Sequence, residues 1–139
     1  MSGSDAGRGN PLFLPDVRLE PGIHATSDLG EAARQQDLLL LAVPAQHLRA
    51  IANQLRPLLA EGIPIVICSK GIERGSCALM PEVVADAIPA ATVAVLSGPS
   101  FAKEIARYLP CGVALACRDA QVRSAGPRHR DAALLYSSQ

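Results

Sequence analysis

A chain of 139 residues is the size of a single domain. Its hydrophobic content is 49% with 3% aromatic residues and no Trp, so a core must be built from Leu, Ile, Val and Ala, which favours a buried parallel α/β sheet over a β-sandwich. Thirteen basic and thirteen acidic side chains cancel, which argues against nucleic acid or an anionic membrane surface as a partner.

Residues 1–11 are Gly, Ser and charge with little apolar content, and read as a disordered lead-in to a folded domain over residues 12–139. They lack the apolar core of a signal peptide. Asp28 with Glu31 three positions on forms a capping-box-like start for a short helix through Gln36. Residues 38–43 are a continuous apolar run, which predicts a strand covered on both faces, and Pro44 stops it. The run is far too short to span a bilayer, so the chain is expected in the cytoplasm.

Leu48, Ile51, Ala52, Leu55, Leu58 and Leu59 recur at helical spacing with Arg49, Asn53, Gln54 and Arg56 on the other side. That predicts an amphipathic helix ended or kinked near Pro57. Residues 65–68 form a second apolar strand, and Pro81 opens a helix that buries Val83, Val84, Ala87 and Ile88. Residues 93–96 are a third strand, followed by Gly98, Pro99 and a helix through about Tyr108. Residues 113–116 are a fourth strand, and after Asp119 the pattern weakens until a final strand at 133–137. Strand and helix in alternation at short intervals predict crossovers feeding a mainly parallel sheet, with 38–43, 65–68 and 93–96 as neighbours in that order.

Ligands of such sheets sit at the carboxyl ends of the strands, which singles out three loops. Lys70, in Cys68-Ser69-Lys70-Gly71-Ile72-Glu73, leaves a strand end and offers a cation to a phosphate, a carboxylate or a carbonyl oxygen. Read from spacing alone, an ordinary solvated loop lysine is the commoner case. In Ser97-Gly98-Pro99-Ser100-Phe101-Ala102, Gly98 lets a ligand approach the backbone and Ser100 can cap the following helix; an ordinary capped turn reads the same way. Pro44, in Val43-Pro44-Ala45-Gln46, is a wall for a bound nucleotide or simply a strand terminator.

Cys68, Cys77, Cys111 and Cys117 show no CxxC spacing and read as reduced, mostly buried fillers. His24, His47 and His129 lie far apart with no acidic or cysteine partners at ligand spacing, so no metal site is expected. Gly7 and Gly9 form G-x-G, but Leu12 stands at the third glycine position and no strand precedes them.

Three motifs in order carry a family resemblance over roughly residues 10–118. Leu14-Pro15-Asp16-Val17 with Ala25-Thr26-Ser27-Asp28-Leu29 leads to Leu40-Leu41-Ala42-Val43-Pro44-Ala45-Gln46; Lys70-Gly71-Ile72-Glu73 and Leu96-Ser97-Gly98-Pro99-Ser100-Phe101-Ala102-Lys103-Glu104 are the most specific. In these the chain resembles the bacterial-type NAD(P)-dependent glycerol-3-phosphate dehydrogenases. The resemblance implies a Rossmann-like doubly wound parallel sheet and hydride transfer between NAD(P)H and dihydroxyacetone phosphate, giving sn-glycerol 3-phosphate for phospholipid synthesis. It implies cofactor contacts at Lys70, Ala102 and Pro44, substrate contacts at Lys70, Gly98 and Ser100, NAD or NADP as cofactor, and homodimers in full-length members.

The resemblance also marks departures. The family's first strand with its G-x-G-x-x-G turn has no counterpart here, and the helical domain bearing the family's catalytic lysine and Arg-Asn pair lies beyond Gln139. The sheet is therefore expected to be incomplete, with residues 23–26 as a strand without a neighbour, the edge of 38–43 open, and the chain alone inactive. Other readings are a non-catalytic remnant or interaction module, and a serine hydrolase using Ser100 with Asp119 and His129 following in hydrolase order, although Ala102 stands where a nucleophile elbow ends in glycine.

Overall fold

The computed structural model describes the backbone of residues 9–10, 14–18 and 132–136 and, side chains included, residues 22–99, 102–110 and 112–118. In chain order the elements are β1 (Gly9–Asn10), β2 (Leu14–Arg18), α1 (Leu29–Ala33), β3 (Leu38–Ala42), α2 (Leu48–Leu55), β4 (Pro64–Ile67), α3 (Met80–Ala87), β5 (Thr92–Ser97), α4 (Ala102–Ile105), β6 (Ala114–Cys117) and β7 (Ala132–Tyr136). They fall into two compact units, one of Met1–Ser27 with Gly98–Val113 and one of Asp28–Ser97 with Ala114–Gln139.

In the second unit the sheet runs in the order β6-β5-β4-β3-β7. Leu39, Leu40 and Leu41 pair in parallel with Ile65, Val66 and Ile67, and Ile65, Val66 and Ile67 pair in parallel with Val93, Ala94 and Val95. The three neighbours predicted from their apolar character are thus found, in the predicted order. Leu39 and Leu41 are fully buried while Leu38, Leu40 and Ala42 are half-buried, so β3 is sealed on one face rather than both. That sealed face gathers Ile65 and Ile67 with Leu48, Ala52 and Leu55 of α2, Met80, Val83, Val84 and Ala87 of α3, and Ala33 of α1 into one apolar cluster. Leu48, Ala52 and Leu55 recur at intervals of four and three, which puts them on one stripe of the helix.

The helix boundaries follow local chemistry. The Asp28 carboxylate accepts from the N–H groups of Gly30 and Glu31 at 2.7 and 3.1 Å, satisfying the first turn of α1. The helix stops at Ala33, short of Gln36, because Arg34 is already extended and Gln35 has a φ of +56°. A 3-10 turn at Arg56–Leu58, containing Pro57, ends α2. Glu82 accepts from the Leu79 N–H at 2.7 Å and so caps α3.

Two pairings depart from the expected sheet. β6 runs antiparallel to β5, from Ala94↔Cys117 to Ser97↔Ala114. Among the described residues the connection between them holds one helical turn, α4, and no full crossover helix of the kind that usually returns the chain for a parallel pairing. The edge of β3 is not open either. β7 lies along it in parallel, from Leu38↔Ala132 to Ala42↔Tyr136, because unpaired backbone groups on an apolar strand favour any extended segment that can reach them.

In the first unit β1 and β2 form a short antiparallel pair, with Gly9 opposite Arg18 and Asn10 opposite Leu14. Residues 23–26 form no strand and are exposed. Gly98 has a φ of +152°, and a Cβ there would sit 2.6 Å from the Gly112 carbonyl oxygen and 2.9 Å from the Val113 Cα. Only glycine fits that approach. The described cysteines are free but not mostly buried: Cys68 and Cys117 are half-buried and Cys77, at a φ of +57°, is exposed. Cys111 lies outside the described residues.

Leu39 shares the sealed face with both long helices, so truncating it leaves a cavity that the sheet cannot close. Leu39→Ala is expected to cost about 3 kcal/mol in urea unfolding, within the roughly 2–5 kcal/mol range of such truncations. A loss below about 1 kcal/mol would contradict the placement of Leu39 at the centre of the core.

Candidate functional site

Parallel pairing brings the carboxyl ends of β3 and β4 to one edge, and the chain leaves both there. After β3 the residues Val43 and Pro44 lead into a 3-10 turn, Ala45–His47, and then directly into α2. After β4 the Cys68 N–H bonds the Leu41 carbonyl at 2.8 Å, carrying the ladder one step further. The Ser69 hydroxyl then accepts from the Val43 N–H at 3.1 Å and lies within donating distance of the Val43 and Leu41 carbonyls at 2.5 and 3.3 Å. Ser69 therefore fastens the start of one loop to the start of the other.

Beyond Ser69 the exposed Lys70 is followed by Gly71 at a φ of +133°, and a Cβ on Gly71 would come within 3.1 Å of the Ala45 methyl. The small residues let the two loops close on each other. The Gln46 amide continues the contact: its nitrogen donates to the Ile72 carbonyl and its oxygen accepts from the Arg74 N–H, both at 2.9 Å. One side chain thus grips the backbone on either side of Glu73.

Glu73 itself turns inward, its side chain 14% exposed. Arg49, from the first turn of α2, meets it through two parallel bonds, Nε to Oε1 at 2.8 Å and Nη2 to Oε2 at 3.0 Å. Ser76 donates to the same carboxylate and Asp86 of α3 takes the remaining Arg49 nitrogen. The hydrogen bonds from Arg49, and then from Ser76, hold the Glu73 carboxyl below the ordinary glutamate range. The Glu73 carboxylate, and then Asp86, hold Arg49 above its own ordinary range. The rest of the loop closes on itself through Glu73 N–H to Ala78 O and Cys77 N–H to Glu73 O, each 3.0 Å, and an antiparallel bridge between Ile72 and Leu79.

Of the residues singled out from the sequence, Pro44 and Lys70 therefore stand on adjoining, mutually bonded loops of one unit, both exposed. Gly98 is the first residue after β5 and belongs to the other unit, where it packs against Gly112 and Val113. Ala102 is the exposed first residue of α4 in that same unit. Ser100 lies outside the described residues. The loop-to-loop contacts of Ser69, Gln46 and the Arg49–Glu73 pair are not visible in local patterns, since the partners stand 24 to 28 residues apart. Only the Lys-Gly-Ile-Glu string hinted that Glu73 matters.

The arrangement offers an exposed lysine, Lys70, on a loop bonded to the one that carries Pro44 and Ala45 at the carboxyl end of a parallel sheet, a setting suited to an anionic nucleotide or phosphate ester. Among the described residues no group of three His, Cys, Asp or Glu side chains could hold a metal ion, and no helix is long and apolar enough to cross a membrane.

Residues 5–123 match the family model described as NAD-dependent glycerol-3-phosphate dehydrogenase N-terminus. The chain is 53% identical over 116 residues to a glycerol-3-phosphate dehydrogenase [NAD(P)+] of Parvibaculum lavamentivorans, covering 84% of this chain and 34% of that protein. It is 54% identical over 110 residues to the enzyme of the same name in Caulobacter vibrioides, covering 79% of this chain and 33% of the other. It thus spans about a third of these relatives. Among solved structures, a glycerol-3-phosphate dehydrogenase of Coxiella burnetii superposes with a TM-score of 0.79 at 27% identity, over 96% of this chain and 42% of that one. One from Plasmodium falciparum shares the fold, with a TM-score of 0.79 at 20% identity over 94% and 38% of the two chains.

A carboxylate whose pKa is lower in the folded than in the unfolded chain stabilises the fold above its unfolded value, here near 4.5, and loses that contribution as the pH falls through the folded value. Glu73→Gln should therefore lower Tm at neutral pH, and the gap to the native chain should narrow as the pH drops below 4.5. Thermal unfolding of both chains at matched ionic strength measures it. A gap unchanged down to about pH 3 would show that the Glu73 charge contributes nothing.

Proposed function

The chain belongs to the family of NAD-dependent glycerol-3-phosphate dehydrogenase N-terminal domains, and on that premise we propose that it supplies cofactor- and substrate-contacting loops for hydride transfer between NAD(P)H and dihydroxyacetone phosphate. The product is sn-glycerol 3-phosphate, the backbone of phospholipids. A nicotinamide cofactor held beside Lys70 and Pro44 would supply the hydride for reducing the ketone, a reduction that also requires a proton at the ketone oxygen.

The observation that carries this reading is the placement of Lys70 and Pro44 on mutually bonded loops at the carboxyl ends of β3 and β4. The Lys70 ammonium holds the anionic and carbonyl oxygens of the ligands by charge and hydrogen bonding. Pro44, with its φ of −54° and no N–H to satisfy, presents a rigid apolar wall to the cofactor. By resemblance Gly98 and Ser100 contact the substrate and Ala102 the cofactor. The reaction is assigned to the cytoplasm and the whole protein to a homodimer, which sedimentation of the full-length product would test.

The chain has no Trp, so ligand binding is best followed by amide resonances. Titrating the labelled 139-residue chain with NADH, and separately with glycerol 3-phosphate, should shift the Lys70, Gly71, Gly98 and Ala102 amides in a saturable way. Lys70→Ala should raise the NADH dissociation constant by about tenfold or more, the effect of deleting one charged hydrogen-bond donor. Shifts confined to the opposite strand ends, or identical binding by Lys70→Ala, would overturn the proposal.

A further inference from the structure

We propose that Gln46 and Arg49 are positioning residues for Lys70: together they fix the course of the 69–74 loop, and so the place from which the Lys70 ammonium reaches a ligand. The inference rests on the reading of Lys70 as a ligand contact. Its structural half stands on the hydrogen bonds alone.

The local chain does not hold Lys70 in place. It is exposed, and the next residue is Gly71 at a φ of +133°, a residue type that visits many backbone states at little cost. Position must therefore be imposed from outside. On the amino side Ser69 imposes it through Val43. On the carboxyl side the first anchors are the Gln46 amide on the Ile72 carbonyl and Arg74 N–H, and the Arg49 guanidinium on Glu73. The partners of Ser69 and the Gln46 and Arg49 side chains come from residues 41–49, the segment that carries Pro44, and they add to the contacts of Ile72 with Leu79 and Glu73 with Ala78 within the loop itself. Lys70 is thus spanned by two straps whose fixed ends lie on the opposite loop.

Magnitudes decide between stability and position. Gln46 is exposed and the Arg49 side chain is 34% exposed, and hydrogen bonds and ion pairs at that exposure add little to global stability while costing rotamer entropy in two long side chains. What they do supply is geometry. The carboxamide is the one side-chain group of this length that can donate to a carbonyl and accept from an N–H at once. The bidentate fork of Arg49 fixes the orientation of the Glu73 carboxylate as well as its distance. Glutamate at position 46 would keep the bond to the Arg74 N–H but turn a negative oxygen toward the Ile72 carbonyl.

Amide exchange and ligand titration of the full 139-residue chain test the proposal together. Gln46→Met, which removes both amide bonds, should speed exchange at the Arg74 amide, and Arg49→Met at the Glu73 and Arg74 amides, by about tenfold or more, with exchange in β3, β4 and the centre of α3 unchanged. Arg49→Lys, which keeps the charge but loses the fork, should fall between native and Arg49→Met. Gln46→Glu should also raise the NADH dissociation constant about three- to tenfold in the native background. In the Lys70→Ala background that rise should vanish, because the two substitutions act through one group.

Unchanged exchange at Glu73 and Arg74 would overturn the positioning role, and so would a Gln46→Glu effect on binding that persists in full without Lys70. Exchange that accelerates across α2 and α3 as well would show a merely structural role and overturn it equally. Failure of the native chain to bind NADH, or binding that Lys70→Ala leaves intact, would instead sink the reading of Lys70 itself, and the exchange measurements would still decide whether the straps order the loop.

Discussion

Two strands that run the same way end at the same edge, and the register of β3 on β4 fixes what meets there. Leu39, Leu40 and Leu41 lie opposite Ile65, Val66 and Ile67, so the chain leaves both strands within hydrogen-bonding reach, and Ser69 finds the Val43 backbone. A one-residue slip would turn Leu39 and Leu41 out of the core and carry Ser69 past its partner. Apolar burial therefore sets the register, and the register places the two loops. The site inherits its geometry from side chains that never touch it.

This division of labour matches the environments. Among the described residues no polar or charged side chain is buried, so cohesion comes from Leu39, Leu41, Leu48, Leu55, Ile65, Ile67, Val83 and Val84, each contributing roughly 1.5–3 kcal/mol by leaving water. The straps at the carboxyl edge are half-exposed and worth far less apiece. They decide the shape of a loop whose existence the core has already secured. Arg49 joins the two regimes, since its helix turns Leu48 and Ala52 inward while its guanidinium reaches across to Glu73 and Asp86.

The parts of the fold that could be read from the chain are those governed by local pattern. The run at 38–43, the helical spacing from Leu48 and the proline at 81 each report on burial or on backbone restriction within a few residues, and β3, α2 and α3 followed. Direction and pairing depend on what a connection can span. β6 pairs antiparallel with β5 where the alternation of strand and helix suggests a parallel neighbour, while β7 occupies an edge that composition alone left open. The site divides in the same way. Lys70 was legible because a lysine followed by glycine at a strand end is a local signal, whereas Gln46 on Ile72 and Arg49 on Glu73 join residues 26 and 24 positions apart.

The functional weight does not fall equally on the two glycine-bearing loops. Gly98 is required by the fold whatever binds nearby, because any side chain there would strike the Gly112 carbonyl at 2.6 Å. Its presence is explained without a ligand. Gly71 is nearly as constrained, by the Ala45 methyl at 3.1 Å. Lys70 differs from both: it is exposed, contributes nothing to the apolar cluster, and yet lies on a loop tied to the opposite one on each side, by the Ser69 hydroxyl on the Val43 backbone and by the Gln46 side chain on the backbone beyond. That combination of exposure and anchoring at the carboxyl edge of the sheet is why the proposed function rests on Lys70 before any other residue in the chain.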